Sequence, residues 1–337
     1  MKKSGGSIQL SHGAGGSESN QLIKEIFFYY FGNKTLLSYE DSALLTVSGR
    51  IAMTTDGYTV KPIFFPGGDI GKIAVAGTTN DLAVMGAKPR FLSASFIIEE
   101  GLALADLERI VASMAKELTT TGAMIVTGDT KVVPRGAADG VFITTTGIGE
   151  ILYEGLSASA LRPGDIVLVS HTIGEHGAVI FAAREGIDLG VDLESDCASL
   201  WPLIEQLLAA KLPVVAMRDA TRGGLAAVLN EWAVQSNVGI VCAEEAIPVR
   251  EAVRGVCELL GFEATSLANE GTFVLALRDR VAADEALSIM KSHPLGKDAA
   301  IIAEVVEVHP GRVVLSNGWG TTRYLDAPSG ELLPRIC

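Results

Sequence analysis

Five aspartates in this chain share one kind of local sequence, a short polar stretch between apolar segments. They are Asp41 in Glu-Asp-Ser-Ala, Asp56 in Thr-Thr-Asp-Gly, Asp81 in Thr-Thr-Asn-Asp-Leu, Asp129 in Thr-Gly-Asp-Thr-Lys and Asp219 in Arg-Asp-Ala-Thr-Arg-Gly-Gly. Each is expected in a turn, and one such Asp is ordinarily a turn former or a helix cap. Five in similar settings point instead to a shared magnesium–phosphate site. Magnesium takes hard oxygen ligands, commonly a few carboxylates completed by substrate phosphates. Lys131 and Arg222 lie two or three residues beyond an Asp. They are either surface charges or, beside a metal, groups that neutralise a transferred phosphate. The glycine run His12-Gly13-Ala14-Gly15-Gly16 is either a loose terminus or a lid whose backbone N–H groups cradle phosphates. Glu270, just ahead of an apolar segment, is a turn residue or a further site carboxylate.

The four cysteines, Cys197, Cys242, Cys257 and Cys337, show no CxxC spacing, which argues against a zinc site or a disulfide framework. The first three have apolar or helical neighbours and read as buried fillers. Cys337 is the last residue of the sequence and the candidate nucleophile. The carboxylate beside its thiol is expected to raise its pKa above about 8.5. His171 and His176 are five apart, which suits no helical metal pair, so a satisfied structural role is expected.

A formal net charge of −13 excludes a nucleic-acid binder, which needs a basic footprint. With 48 % apolar and 20 % charged residues the chain is expected to be globular. It has no apolar run long enough to cross a bilayer, and its opening residues lack the apolar stretch of a secretory signal, so a cytoplasmic protein without membrane contact is expected.

The elements that must position these residues follow from apolar periodicity. Helices are expected near 21–31, 71–85, 104–120, 176–185, 199–210, 225–235 and 248–260. Strands are expected near 43–47, 50–55, 90–99, 123–127, 141–148, 166–170, 240–243, 272–277, 300–308 and 312–315, with GDTKVVPRG as a turn between two of them. The order is mixed, without a Rossmann rhythm, a GxGxxG after the first strand or a GxxxxGK[ST] motif. Two α+β units, each a mixed sheet with helices on one face, fit best. The expected division is 1–40, a glycine-rich arm and helix; 41–155, a nucleotide-binding and dimerisation domain; 156–325, a second α/β domain; and 326–337, a mobile tail.

The strings HGAGG (12–16), FFPGGDIGKIAVAGTTNDLAVMGAKP (64–89), TGDTKVVPRG (127–136), RDATRGG (218–224), ANEG (268–271), SHPLGKDAA (292–300) and PRIC (334–337) together resemble the HypE hydrogenase-maturation family, within the aminoimidazole-ribonucleotide-synthetase-like (PurM-like) ATP-binding superfamily. The resemblance covers essentially the whole chain. It implies a two-domain fold, a homodimer whose first-domain sheets close into a shared β-barrel, and ATP in a cleft with Mg2+. It further implies that a HypF-type carbamoyltransferase loads Cys337 and that the carboxamide is phosphorylated and dehydrated to a thiocyanate. The cyanide then passes to an iron held by a HypC–HypD-type complex. On these strings the implied nucleotide-binding residues are Gly15, Gly16, Asp56, Asn80, Thr130, Thr221 and Arg222. The implied metal ligands are Asp41, Asp81, Asp129 and Asp219, and Lys131 and Glu270 match positions implicated in proton removal. Because Cys337 must visit a partner, its own ATP site and an iron carrier, the tail is expected to alternate between inward and outward states. Two competing readings are a selenophosphate-synthetase type of enzyme, which usually needs a reactive cysteine near the N-terminus, and a nucleotide-binding scaffold without turnover.

Overall fold

The computed structural model describes residues 6–38, 42–187, 192–329 and 336–337. Asp41 and Pro334 lie outside these residues, as does half of the expected tail, residues 330–335.

The glycine-rich arm leads into α1 (Ser17–Leu22), which runs through a π turn (Ile23–Phe27) into α2 (Phe28–Phe31). The first sheet has the order β1 (Ile51–Tyr58), β6 (Val141–Ile151), β4 (Ala87–Glu99), β5 (Met124–Val133). All its pairs are antiparallel except β4 with β5. A small hairpin, β2 (Phe64–Phe65) and β3 (Gly68–Asp69), precedes α3 (Ile70–Val84), and the Asp69 carboxylate caps that helix by accepting from the Gly71 and Lys72 N–H groups. The next helix, α4 (Leu104–Thr121), buries Leu107, Ile110, Val111, Met114 and Leu118, the three-and-four spacing of one apolar stripe. By contrast, α3 is buried almost all round, because it is packed both by the first sheet and by the second domain.

Strand alternation shows that α3 and α4 cover one face of this sheet. The other face is open and carries Ile51, Met53, Ile97 and Met124 as exposed apolar side chains.

The second sheet has seven strands in the order β13 (Thr322–Tyr324), β12 (Arg312–Ser316), β9 (Gly239–Ala243), β11 (Ala300–Val306), β7 (Ile166–Val169), β10 (Phe273–Leu277), β8 (Val214–Asp219). This domain departs from the one-faced arrangement expected. Val167, Val274 and Ala276 pack with Leu225, Leu229 and Trp232 of α7 (Gly224–Ser236) on one side. Leu168, Phe273 and Leu275 pack on the other side with α6 (Trp201–Ala209) and α9 (Arg280–Lys291). Burial on both faces explains why β7 and β10 are apolar at every position. The remaining helices are α5 (Glu175–Glu185) and α8 (Glu251–Leu260).

Other local expectations also shift. Residues 43–47 form no strand, and the stretch expected as a turn, GDTKVV, is the second half of β5. Asp56 lies in β1, Asp81 in α3, Asp129 in β5 and Asp219 at the end of β8, so none of the four lies in a turn.

Candidate active site

Alternation along β1 sends Thr54, Asp56 and Tyr58 to the helix-covered face, where α3 presents Thr78 and Asp81. The Thr54 hydroxyl donates to Asp81 Oδ2 at 2.6 Å. The Tyr58 hydroxyl donates to Asp56 Oδ2 at 3.4 Å and lies 3.2 Å from Thr78 Oγ1. Asp219 comes to the same place from the second domain. Burial and the neighbouring Asp81 and Asp56 push its pKa up to about 7, against the pull of Arg218. Asp81 rises to about 6, chiefly by burial and then through Asp56, while Thr54 and Arg218 oppose. Like charges are thus gathered across the domain boundary, a setting that favours either protons or a cation.

Glu270 is 3 % exposed, and burial with Asp196, Asp219 and Asp56 holds its pKa well above the usual carboxylate range. Its backbone is fixed from the loop ahead of α6. Asp196 accepts from the Glu270 and Gly271 N–H groups, both at 3.0 Å, and from the Thr272 hydroxyl at 2.9 Å. Asn269 ties the same segment to the Ala220 carbonyl at 2.8 Å and to the Gly174 N–H at 2.7 Å. The turn carrying Thr221 and Arg222 needs glycine next. At Gly224 φ is +59°, and an added Cβ would lie 2.3 Å from the Leu267 carbonyl oxygen.

The end of the chain is docked among these groups. The Thr59 N–H donates to the Cys337 carbonyl oxygen at 2.9 Å, His176 Nε2 lies 2.7 Å from the Ile336 carbonyl oxygen, and Ile336 is packed into the first core at 6 % exposure. The Cys337 thiol is pushed up to about 12, first by burial and then by Glu270 and Asp56, with Arg222 pulling the other way. The upward direction matches the sequence expectation, but its causes are burial and site carboxylates.

A cleft of about 400 Å³ lies between the arm with its helix and β5, lined by His12, Gly13, Gly15, Phe27 and Phe31 together with 127–131. That volume lies in the range of small-ligand sites. Here Lys131 Nζ sits 3.1 Å from Asp129, and both side chains are exposed. Gly15 has φ +79°, and its N–H donates to the Ser19 hydroxyl at 2.9 Å.

The expected residues therefore divide into two groups. Asp56, Asp81, Asp219, Glu270, Arg222 and Cys337 come together. Gly15, Asp129, Thr130 and Lys131 line the separate cleft, and Gly16 is the N-cap of α1. Across the sheet Asp129 is in register with Ser95, Thr144 and Gly57, one position out of step with Asp56, which pairs with Thr145. Asp129 thus points to the open face, three strand spacings or about 14 Å from β1. Asn80 is engaged structurally. Its amide donates to the Ala198 and Glu270 carbonyls, and its oxygen accepts from the Leu200 N–H at 2.7 Å. Thr221 is half-buried in the loop after β8, with its carbonyl accepting from Gly224 N–H. Among the described residues no three His, Cys, Asp or Glu side chains converge as a metal cage. Sequence reasoning missed Asp196, Asn269, Arg218, Tyr58 and Ser195 and gave His176 no contact with the tail. The RD of RDATRGG and the N of ANEG were the available signals for two of them.

Two family models match the chain, the AIR synthase related protein N-terminal domain over residues 39–151 and the corresponding C-terminal domain over 162–316. The fold is therefore that of a two-domain AIR-synthase-related protein. A protein of Escherichia coli K12, carbamoyl dehydratase HypE, is 50 % identical over 98 % of this chain and 99 % of its own length. A hydrogenase maturation protein HypE solved in complex with ATP matches with a TM-score of 0.94 and 46 % identity, covering 98 % of this chain and all of that one. A chain from a HypE–HypF complex matches at 49 % identity and a TM-score of 0.80, over 91 % of this chain and 99 % of that chain. This chain belongs to the HypE carbamoyl dehydratase family.

Proposed function

We propose that the protein dehydrates an S-carboxamide carried on Cys337 to a thiocyanate at the expense of ATP, supplying the cyanide ligand for the iron of a [NiFe] hydrogenase. The observation that carries this reading is the docked Cys337, held beside Glu270, Arg222 and Asp56 at the edge of the carboxylate cluster. An amide oxygen is a poor leaving group. Phosphorylating it, with loss of one N–H proton, makes a phosphate ester. Departure of phosphate, with loss of the second N–H proton, leaves S–C≡N, ADP and phosphate.

Burial and the neighbouring carboxylates raise the Glu270 pKa, and Arg222 opposes that rise. Once ionised, a buried carboxylate of raised pKa is a strong base at the tip of the arm, suited to taking the N–H proton. Asp56, Asp81 and Asp219 offer hard oxygen donors whose mutual repulsion a divalent cation relieves, and they fit magnesium held jointly by protein and phosphate. Bound there, magnesium screens phosphate charge.

The 400 Å³ cleft suits a nucleotide, with Gly15, Gly16 and Thr130 at its phosphates and Lys131 and Asp129 at its mouth. Asp129 and Lys131 stand on the open sheet face, whose exposed Ile51, Met53, Ile97 and Met124 are the surface for a second copy. Closing two such sheets into one barrel makes the homodimer and places this half of the site against the partner.

A docked thiol near 12 carries about 10⁻⁵ thiolate at pH 7. Loading by a HypF-type carbamoyltransferase therefore takes place with the arm outward, as does delivery to a HypC–HypD-type iron carrier. All of this is expected in the cytoplasm. The test is mass spectrometry of the C-terminal peptide after incubation with the carbamoyl-donor system. ATP should remove the mass of one water from carbamoylated Cys337, and an unchanged carboxamide in ATP would overturn the reading.

A further inference from the structure

We infer that His176 is the positioning residue that latches the Cys337 arm inward, through a tautomer imposed by Ser195. The inference rests on the proposed dehydration only for its second readout. His176 lies in the first turn of α5, fully buried, with its ring edge-to-face against Phe65 at 5.5 Å between centroids. Nδ1 is 2.8 Å from the Ser195 hydroxyl, and Nε2 is 2.7 Å from the Ile336 carbonyl oxygen.

The partners leave one arrangement of protons. The Cys197 N–H, 3.1 Å from Ser195 Oγ, can only donate, so the Ser195 hydroxyl proton is free to go to Nδ1. The Ile336 carbonyl can only accept, so Nε2 carries the ring proton and donates to it. Burial lowers the His176 pKa and keeps the ring neutral, which preserves Nδ1 as an acceptor. The chain of donors thus runs Cys197 N–H, Ser195 O–H, His176 Nε2–H, and ends on the last peptide carbonyl of the arm.

The same loop sets the other side of the reaction. Ser195 is pinned by its N–H to the Pro66 carbonyl at 3.0 Å, and the adjacent Asp196 holds the Glu270 and Gly271 N–H groups. One short segment therefore fixes both where the arm stops and where the candidate base sits. Holding the two in common register is what a proton transfer over hydrogen-bond distance requires. Nothing in this grip contacts the thiol, so it serves the free, carbamoylated and cyanated arm alike.

The experiment reads the arm directly, as the rate at which iodoacetamide alkylates Cys337 in the full-length protein, mapped by peptide mass. Alkylation requires release of the docked thiol. Loss of one buried hydrogen bond should raise the released fraction, and so the rate, about tenfold in His176→Leu. His176→Gln, whose amide nitrogen falls near the Nε2 position, should return to within about threefold of the parent. Ser195→Ala keeps the ring but frees the tautomer, and should alkylate several-fold faster than the parent.

The second readout is single-turnover conversion of the arm carbamoylated on Cys337 with cyanate. It should slow in His176→Leu and recover in His176→Gln, with ATP affinity unchanged in both. If every protein including the parent fails to dehydrate, the functional reading falls while the alkylation series still decides the latch. Equal alkylation rates in the parent, His176→Leu and Ser195→Ala, or equal acceleration in His176→Leu and His176→Gln, would overturn the latch. If His176→Leu does not fold, Ser195→Ala against the parent decides it alone.

Discussion

Asp219→Asn should make the metal-free protein more stable while disabling it. Folding raises the Asp219 pKa from 3.8 to about 7. A carboxyl raised in this way binds its proton more tightly folded than unfolded. Its contribution to stability is complete below about pH 4 and is lost as pH rises through about 7. The gap corresponds to a ceiling of about 4 kcal/mol at 1.36 kcal/mol per pH unit. Asp219 titrates together with Asp81 and keeps part of its surface in solvent, so about half of that, roughly 2 kcal/mol, is the expected gain at pH 8.5. For a chain of 337 residues it corresponds to a melting midpoint roughly 3 °C higher. Asn keeps the shape and removes the charge. Thermal melts in chelator should show the variant above the parent at pH 8.5 and by only about a third of that margin at pH 5, where Asp219 is neutral in the folded chain but already ionised in the unfolded one. Adding Mg2+ should raise the parent more than the variant, and ATP turnover on a carbamoylated arm should be lost. A variant that melts below the parent at pH 8.5, or by an equal margin at both pH values, would refute the reasoning.

Other outcomes follow from single features. Cys337→Ala should abolish thiocyanate formation by mass spectrometry yet leave ATP affinity within about twofold in calorimetry, since few fold contacts depend on the thiol. Gly224→Ala forces a Cβ against the Leu267 carbonyl at positive φ, and should lower the melting midpoint by the equivalent of more than 1 kcal/mol and ATP turnover at least tenfold. Gly255→Ala, within α8 with open space around it, is the contrasting control and should gain about 0.5–1 kcal/mol. Met53→Asp, on a side chain 69 % exposed on the open sheet face, should shift sedimentation from dimer to monomer.

Helices with one apolar stripe are legible in the amino-acid sequence, as α4 illustrates, and so are the two all-apolar strands β7 and β10. Strand β8 is not. Its apolar Val-Val-Ala-Met part ends directly on the charged Arg218 and Asp219, so the six-residue strand shows neither alternation nor a run that is apolar throughout. The aspartates are recognisable by type, but their local structure is not. A Thr- and Gly-rich string looks like a turn, yet in β1 and β5 those residues alternate between a covered and an open face. Separating Asp56 from Asp129 takes strand register, which local sequence does not carry. Asp196 and His176 are hidden for another reason. Their decisive partners lie 74 to 76 and 160 residues away, and no local pattern announces such contacts.

The half-buried, proton-holding thiol at the end of the chain also bears on how such a protein survives while idle. Peroxide and electrophiles attack the thiolate, and progress from sulfenic to sulfonic acid is irreversible. A cysteine kept near pKa 12 behind Ile336 presents almost none of that species. A standing pool of unloaded molecules would therefore age slowly. With the two-state arm proposed above, the risk of oxidation is confined to the outward state.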